Sequence, residues 1–171
     1  MKAIVKSGPE PGVVLQELPI PEPGPGEVLI KIEAAAICGT DMHYYHWNKA
    51  GQDFASKFNV QWPLTLGHEC GGTIVKVGEG VTDRRVGQRV ALETHIPCGK
   101  CYSCQNDMPH NCSDMGIYGT STNGCFAEYA LAPAKVAFVI PDEMSFEEAA
   151  LLEPAGVAMR AVEECDVQPG D

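Results

Sequence analysis

The sequence predicts a mainly β fold, β-rich with short helices. Gly 18 and Pro 13 in 171 residues, concentrated in the first two thirds, favour short strands joined by many turns over a helical bundle. The apolar runs are short and bounded by those turn residues. The strongest helix start comes late, in the last thirty residues. An apolar share of 44% is enough for one domain with a sizeable core.

Taken in order, residues 1–6 and 13–18 read as edge strands split by Gly8-Pro9 and Pro11-Gly12. The proline-rich stretch 19–26 is a linker. In 28–34, Val28, Ile30 and Ile32 alternate with Leu29, Lys31 and Glu33; because Leu29 breaks the alternation, this strand is expected to be covered partly on both faces. Residues 36–66 carry aromatics at Tyr44, Tyr45, Trp47, Phe54, Phe58 and Trp62 without a stable period, and are read as a helical turn and a long loop that either covers the core or borders a cleft. Extended segments resume at 73–77, 89–92, 126–132 and 136–140, with Pro133 turning the chain between the last two. Gly78-Glu79-Gly80 is a turn, lacking the spacing of a dinucleotide loop. Ser145-Phe146-Glu147-Glu148 is a capping box ahead of an apolar run, Pro154 interrupts or restarts the helix, and a second short helix over 155–164 offers Val157, Ala161 and Val162 on one side. The ending Pro169-Gly170-Asp171 reads as an outward turn at a boundary.

A formal net charge of -11 speaks against nucleic acid or an anionic membrane as partner. No apolar run is long enough to span a bilayer, and the N-terminus lacks a signal-peptide core, so a cytoplasmic protein is expected. Four of the 8 cysteines form Cys98-x2-Cys101-x2-Cys104-x7-Cys112. The two-residue loops let thiolates converge and the longer gap returns a fourth sulfur, which suits a closed, structural zinc site; an iron–sulfur cluster is the rival metal. A dispersed set, Cys38, His68, Glu69 and distant Glu153, supplies the sulfur, imidazole and carboxylate of a catalytic zinc with one open position. Thr40 and His43 follow the first ligand and would hand on a proton. Cys70 and Cys125 read as buried free thiols, and His46, His95 and His110 as surface groups or neighbours of the ligands.

These motifs together resemble the GroES-like catalytic domain of the zinc-containing medium-chain alcohol dehydrogenases. Gly67-His68-Glu69-x2-Gly72-x5-Gly78-x2-Val81, Cys38-Gly39-Thr40-Asp41, the four-cysteine stretch, Tyr118-Gly119 through Gly124-Cys125-Phe126-Ala127-Glu128-Tyr129 and Leu151-Leu152-Glu153-Pro154 occur in that family's order. The resemblance implies a partly open barrel over 1–171 with a protruding structural-zinc lobe at 95–115. It implies catalytic zinc on Cys38 and His68 with Glu69 or Glu153, and a relay through Thr40 and His43. Glu153, where alcohol-preferring members carry cysteine, and Leu92-Glu93-Thr94-His95 lean towards the threonine, sorbitol and butanediol branch. The implied reaction is oxidation of a small secondary alcohol by NAD or NADP, in a protein that forms a homo-oligomer when whole. The family's coenzyme domain would follow residue 171, so the chain is expected to be an enzyme fragment, inactive alone. The alternative is a stand-alone zinc-stabilised binding or assembly module without catalysis. The span from His46 to Leu66, with 48–59 at its centre, departs from the family where the substrate cleft would be bordered and blurs the substrate.

Overall fold

The computed structural model describes residues 1–165, 167, 168 and 170. In chain order the elements are β1 (Lys2–Lys6), β2 (Val14–Glu17), β3 (Glu27–Ala36), α1 (Gly39–His46), α2 (Lys49–Lys57), β4 (Leu64–Thr65), β5 (Glu69–Val77), β6 (Arg89–Leu92), β7 (His95–Ile96), α3 (Tyr102–Gln105), β8 (Gly116–Ile117), β9 (Tyr129–Pro133), β10 (Ala137–Val139), α4 (Phe146–Ala150) and α5 (Leu152–Glu164). The strands form an antiparallel sheet in the order β10-β6-β5-β3-β9, a smaller one in the order β2-β1-β4, and the pair β7-β8. Ile4 N donates to Phe126 O at 2.7 Å and Glu128 N to Lys2 O at 3.0 Å. These bonds join β1 to the chain leading into β9, so the sheets curl into an open half-barrel.

Strand β3 lies between β5 and β9, and Val28, Leu29 and Ile30 are buried in succession, so the first half of the strand is covered on both faces. The second half alternates, with Lys31 and Glu33 exposed, so only one face is covered there. Val28, Ile30, Ile74, Val90, Tyr118 and Ala132 belong to the main core. Pro133 ends β9, an edge strand that tolerates its missing N–H, and residues 134–136 turn in a 3₁₀ helix towards β10. β1, read as an edge strand, is instead central to its small sheet.

Residues 36–66 differ from the expectation of a turn and a loop, for they hold α1 and α2. The overall fold is accordingly mixed α/β rather than mainly β. The physical reason is what these helices bury: Asp41 and Tyr44 on α1, Gly51 and Ala55 on α2. A face made of a carboxylate, one aromatic and two small residues leaves little apolar periodicity. Tyr44 and Leu66, with Trp47, Phe58 and Trp62 against them, make a second core cluster, whereas Tyr45 and Phe54 are exposed.

The capping box forms as expected: Glu148 N donates to Ser145 Oγ at 3.1 Å and Ser145 N to Glu148 Oε2 at 2.7 Å. Pro154 falls in the first turn of α5, where its missing N–H costs nothing. The apolar side of α5 stays open, with Val157 64% exposed. The turn expected at the C-terminus rests on Pro169 and Asp171, which lie outside the described residues. Among the described residues no helix is long and apolar enough to cross a membrane.

Candidate metal centres

Strand register assembles the first centre. The end of β3 pairs antiparallel with the beginning of β5, Ala36 opposite Glu69, so Cys38, just past one strand, comes beside His68, just before the other. Ligand atoms of Cys38, His68 and Glu69 lie within 4.8 Å of one another. His68 and Glu69 are buried and Cys38 half-buried. Cys38 is also the N-cap of α1.

Asp41 ties the two segments together. Its Oδ2 accepts from Cys38 N at 3.0 Å and its Oδ1 from Gly67 N at 3.2 Å, while His68 Nδ1 stands 3.9 Å from Oδ1. Burial raises the Asp41 pKa above the ordinary carboxylate value, and His68 and the two backbone donors oppose that rise. Gly67 has φ +90°, and a Cβ there would stand 2.4 Å from the Phe126 ring. Only glycine makes this turn into His68 without strain.

Glu153, on the first turn of α5, is not in the three-residue group. It is half-buried and near enough to feel His68 and Glu69; desolvation raises its pKa, His68 opposing and Glu69 adding. It also feels Glu93 and His95, which form their own pair with His95 Nδ1 2.6 Å from Glu93 Oε1. That bond raises the His95 pKa and lowers that of Glu93. Thr40 and His43 lie on α1, and His43 Nδ1 is 2.9 Å from Asn48 Nδ2. Asp41 and Glu93 stand in the sequence motifs without a role of their own, and Asn48 is not marked by any of them. The spacing Cys38-x2-Asp41 is that of a capping box, and Asn48 ahead of a helix is an N-cap signal; either would have found its residue.

The second centre lies in the loop between β7 and β8. The Sγ atoms of Cys98, Cys101, Cys104 and Cys112 are within 4.8 Å of one another. A tetrahedron with arms of about 2.3 Å has edges of about 3.8 Å, and Cys101 Sγ is 3.9 Å from Cys112 Sγ. Backbone N–H groups point at the sulfurs: Cys98 N and Asp114 N at Cys112 Sγ, 3.2 and 3.4 Å, and Cys101 N at Cys98 Sγ, 3.4 Å. Backbone donors from Cys104 and Ser113 draw Cys101 down to about 6, while desolvation pushes Cys104 up to about 12. Four convergent soft donors, three of their contacts already made with N–H groups, fit a thiolate-bound ion. In the first centre the buried His68 Nδ1 has no hydrogen-bond partner among the described residues, and the sulfur, imidazole and carboxylate set likewise fits zinc. Cys70 and Cys125 are buried free thiols, as expected.

Residues 24–142 match the model of the alcohol dehydrogenase GroES-like domain. The chain is 47% identical over 162 residues to L-threonine 3-dehydrogenase of Thermococcus kodakarensis, covering 95% of this chain and 45% of that protein. It is 44% identical over 167 residues to the L-threonine 3-dehydrogenase of Xanthomonas euvesicatoria, covering 98% and 48%. The chain thus spans about half the length of the curated relatives it matches. Among solved structures, galactitol-1-phosphate dehydrogenase from Escherichia coli superposes with a TM-score of 0.84 at 32% identity, over 97% of this chain and 45% of that one. A short chain alcohol dehydrogenase from Escherichia coli CFT073, complexed with NADH, gives 0.79 at 36% identity over 96% and 45%. With residues 24–142 matched by the family model and nearly the whole chain aligned to threonine dehydrogenases, the chain belongs to the alcohol dehydrogenase GroES-like domain family, among the zinc-type medium-chain dehydrogenases and close to the threonine dehydrogenases.

Proposed function

We propose that the chain is the zinc-bearing catalytic domain of an NAD- or NADP-dependent dehydrogenase that oxidises a small secondary alcohol: threonine, a polyol or a vicinal diol. The observation that carries this reading is the meeting of Cys38, His68 and Glu69 within 4.8 Å at the paired ends of β3 and β5. Cys38 and His68 would hold the catalytic zinc, with Glu69 or Glu153 as carboxylate partner. Zinc bound there supplies the positive charge that lowers the pKa of a substrate hydroxyl. Asp41 keeps the two ligand loops at their spacing, and Thr40 and His43 carry the hydroxyl proton away. Glu153 presents a carboxylate beside the ligands, where it would ligate or orient the substrate. The four cysteines would hold a structural zinc. The nicotinamide would be held outside residues 1–171, in the additional length the relatives possess, and the whole protein would assemble as a homo-oligomer. Free thiols and thiolate clusters suit a reducing, cytoplasmic setting.

The test uses the full-length protein with zinc supplied. Glu153→Ala is expected to lower turnover on threonine, sorbitol or 2,3-butanediol by about 10²-fold or more while the unfolding midpoint hardly moves. Unchanged turnover and zinc content across all three substrates would remove Glu153 from the site, and the polyol or threonine assignment with it.

A further inference from the structure

His43 is half-buried on α1, and its ring meets the first capping group of the next helix. Asn48 is the N-cap of α2, its Oδ1 accepting from Gly51 N at 3.1 Å. A backbone N–H can only donate, so this bond fixes which end of the amide is oxygen. The other end, Nδ2, therefore faces His43 Nδ1 at 2.9 Å. An amide nitrogen carries hydrogens and offers no lone pair, so His43 Nδ1 is the acceptor. In the neutral ring the proton then lies on Nε2.

The contact is held from behind by backbone packing. A Cβ on Gly51 would stand 2.4 Å from the His43 carbonyl oxygen, so the N-terminus of α2 sits directly on the turn of α1 that carries His43. Trp47 makes the corner between the helices with φ 50°, and Gln52 Nε2 donates to Trp47 O at 2.9 Å. Asn48, Gly51 and His43 thus close a loop in which the amide has little freedom to turn away.

We infer that Asn48 is a positioning residue that holds His43 as its Nε2–H tautomer. Nδ1 is committed to the amide, so the ring passes a proton on only in an exchange: Asn48 gives way, one proton arrives at Nδ1, and the Nε2 proton leaves, which keeps the imidazole neutral. The consequence for turnover rests on the relay role proposed above for His43; the tautomer itself does not.

The test follows the ring nitrogens of His43 by long-range proton–nitrogen correlation in full-length protein with ¹⁵N-labelled histidine, at a pH where the ring is neutral, the signals being assigned with His43→Gln. The expected pattern is an unprotonated Nδ1 and a protonated Nε2. Asn48→Asp retains an N-cap of equal quality but offers His43 only acceptors, and is expected to invert the pattern. Asn48→Ser keeps the cap, loses the contact and is expected to move both nitrogens towards the averaged shifts of mixed tautomers. A protonated or averaged Nδ1 in the unaltered protein, or the same pattern in Asn48→Asp, would overturn the inference. In turnover, Asn48→Asp is expected to lower kcat about ten-fold with KM nearly unchanged, and His43→Ala to lower it at least as far. Full activity in His43→Ala would sink the relay reading instead, and the nitrogen shifts would still decide the tautomer.

Discussion

A buried carboxylate is costly unless donors meet its oxygens, and Asp41 meets that demand with Cys38 N on one oxygen and Gly67 N on the other. The same two bonds set the distance between the loops carrying Cys38 and His68. Asp41→Ala would leave both backbone donors without an acceptor, a loss of about 3 kcal/mol in urea unfolding. It should also weaken zinc at that centre by 10- to 100-fold, a range usual for groups that orient metal ligands. A chelator competition that found zinc affinity unaltered would contradict this role for Asp41. The Glu93–His95 pair gives a second test at this scale. Its bond raises the His95 pKa and lowers that of Glu93. The His95 part of the stabilisation is complete below the unfolded value of about 6.5 and is lost as pH rises through the higher folded value. The Glu93 part is complete above about 4.3 and is lost as pH falls through the lower folded value. The pair is therefore most stabilising between about pH 4.3 and 6.5. An NMR titration should place the His95 midpoint above 6.5 and bring it down in Glu93→Gln.

Single positions decide whether whole elements form. In α4 the Ser145 hydroxyl and the Glu148 carboxylate satisfy one backbone donor each, and Ala149 and Ala150 then seat the helix in the core. Ser145→Ala is expected to cost about 1 kcal/mol of unfolding free energy, and Ser145→Asp to restore most of it. The entry to β5 depends on Gly67, whose positive φ and contact with the Phe126 ring leave no place for a side chain. Gly67→Ala combines backbone strain with overpacking and should cost about 3 kcal/mol. Because His68 is the next residue, zinc stoichiometry at the first centre should fall in that variant as well. An unfolding midpoint equal to that of the unaltered protein would show that the turn relaxes at no cost.

Across the whole molecule, the two centres depend on the fold to different degrees. Cys38, His68 and Glu69 sit where two core strands pair, so the barrel itself positions them. The four cysteines occupy a loop whose residues from 105 to 111 are exposed, with only the two-residue strands β7 and β8 at its base. In such a loop, metal binding supplies the folding free energy. Cys101→Ser should remove one zinc per chain and speed hydrogen exchange between residues 98 and 112, while the amides of β3 and β5 remain protected. Loss of protection throughout the barrel in Cys101→Ser would show that the loop is needed by the entire domain.

What was legible in advance was what is written locally. The four-cysteine spacing, the Ser145 and Glu148 box, the alternation of 28–34 and the turn at Gly78-Glu79-Gly80 each need only neighbours in the chain, and each was readable from residue types alone. The candidate ligands Cys38, His68 and Glu69 could be named by chemistry and by family resemblance, but their meeting depends on Ala36 lying opposite Glu69, a register fixed by burial of β3 and β5 in a common core. Residues 36–66 read as a helical turn and a loop where α1 and α2 stand, because these helices bury a carboxylate and small residues in place of an apolar stripe. The position of Glu153, near His68 and Glu69 yet outside their group, follows from how α5 meets β5. A residue 84 positions from Glu69 comes beside it only through packing, because the placement of α5 against the sheet is a property of the assembled core.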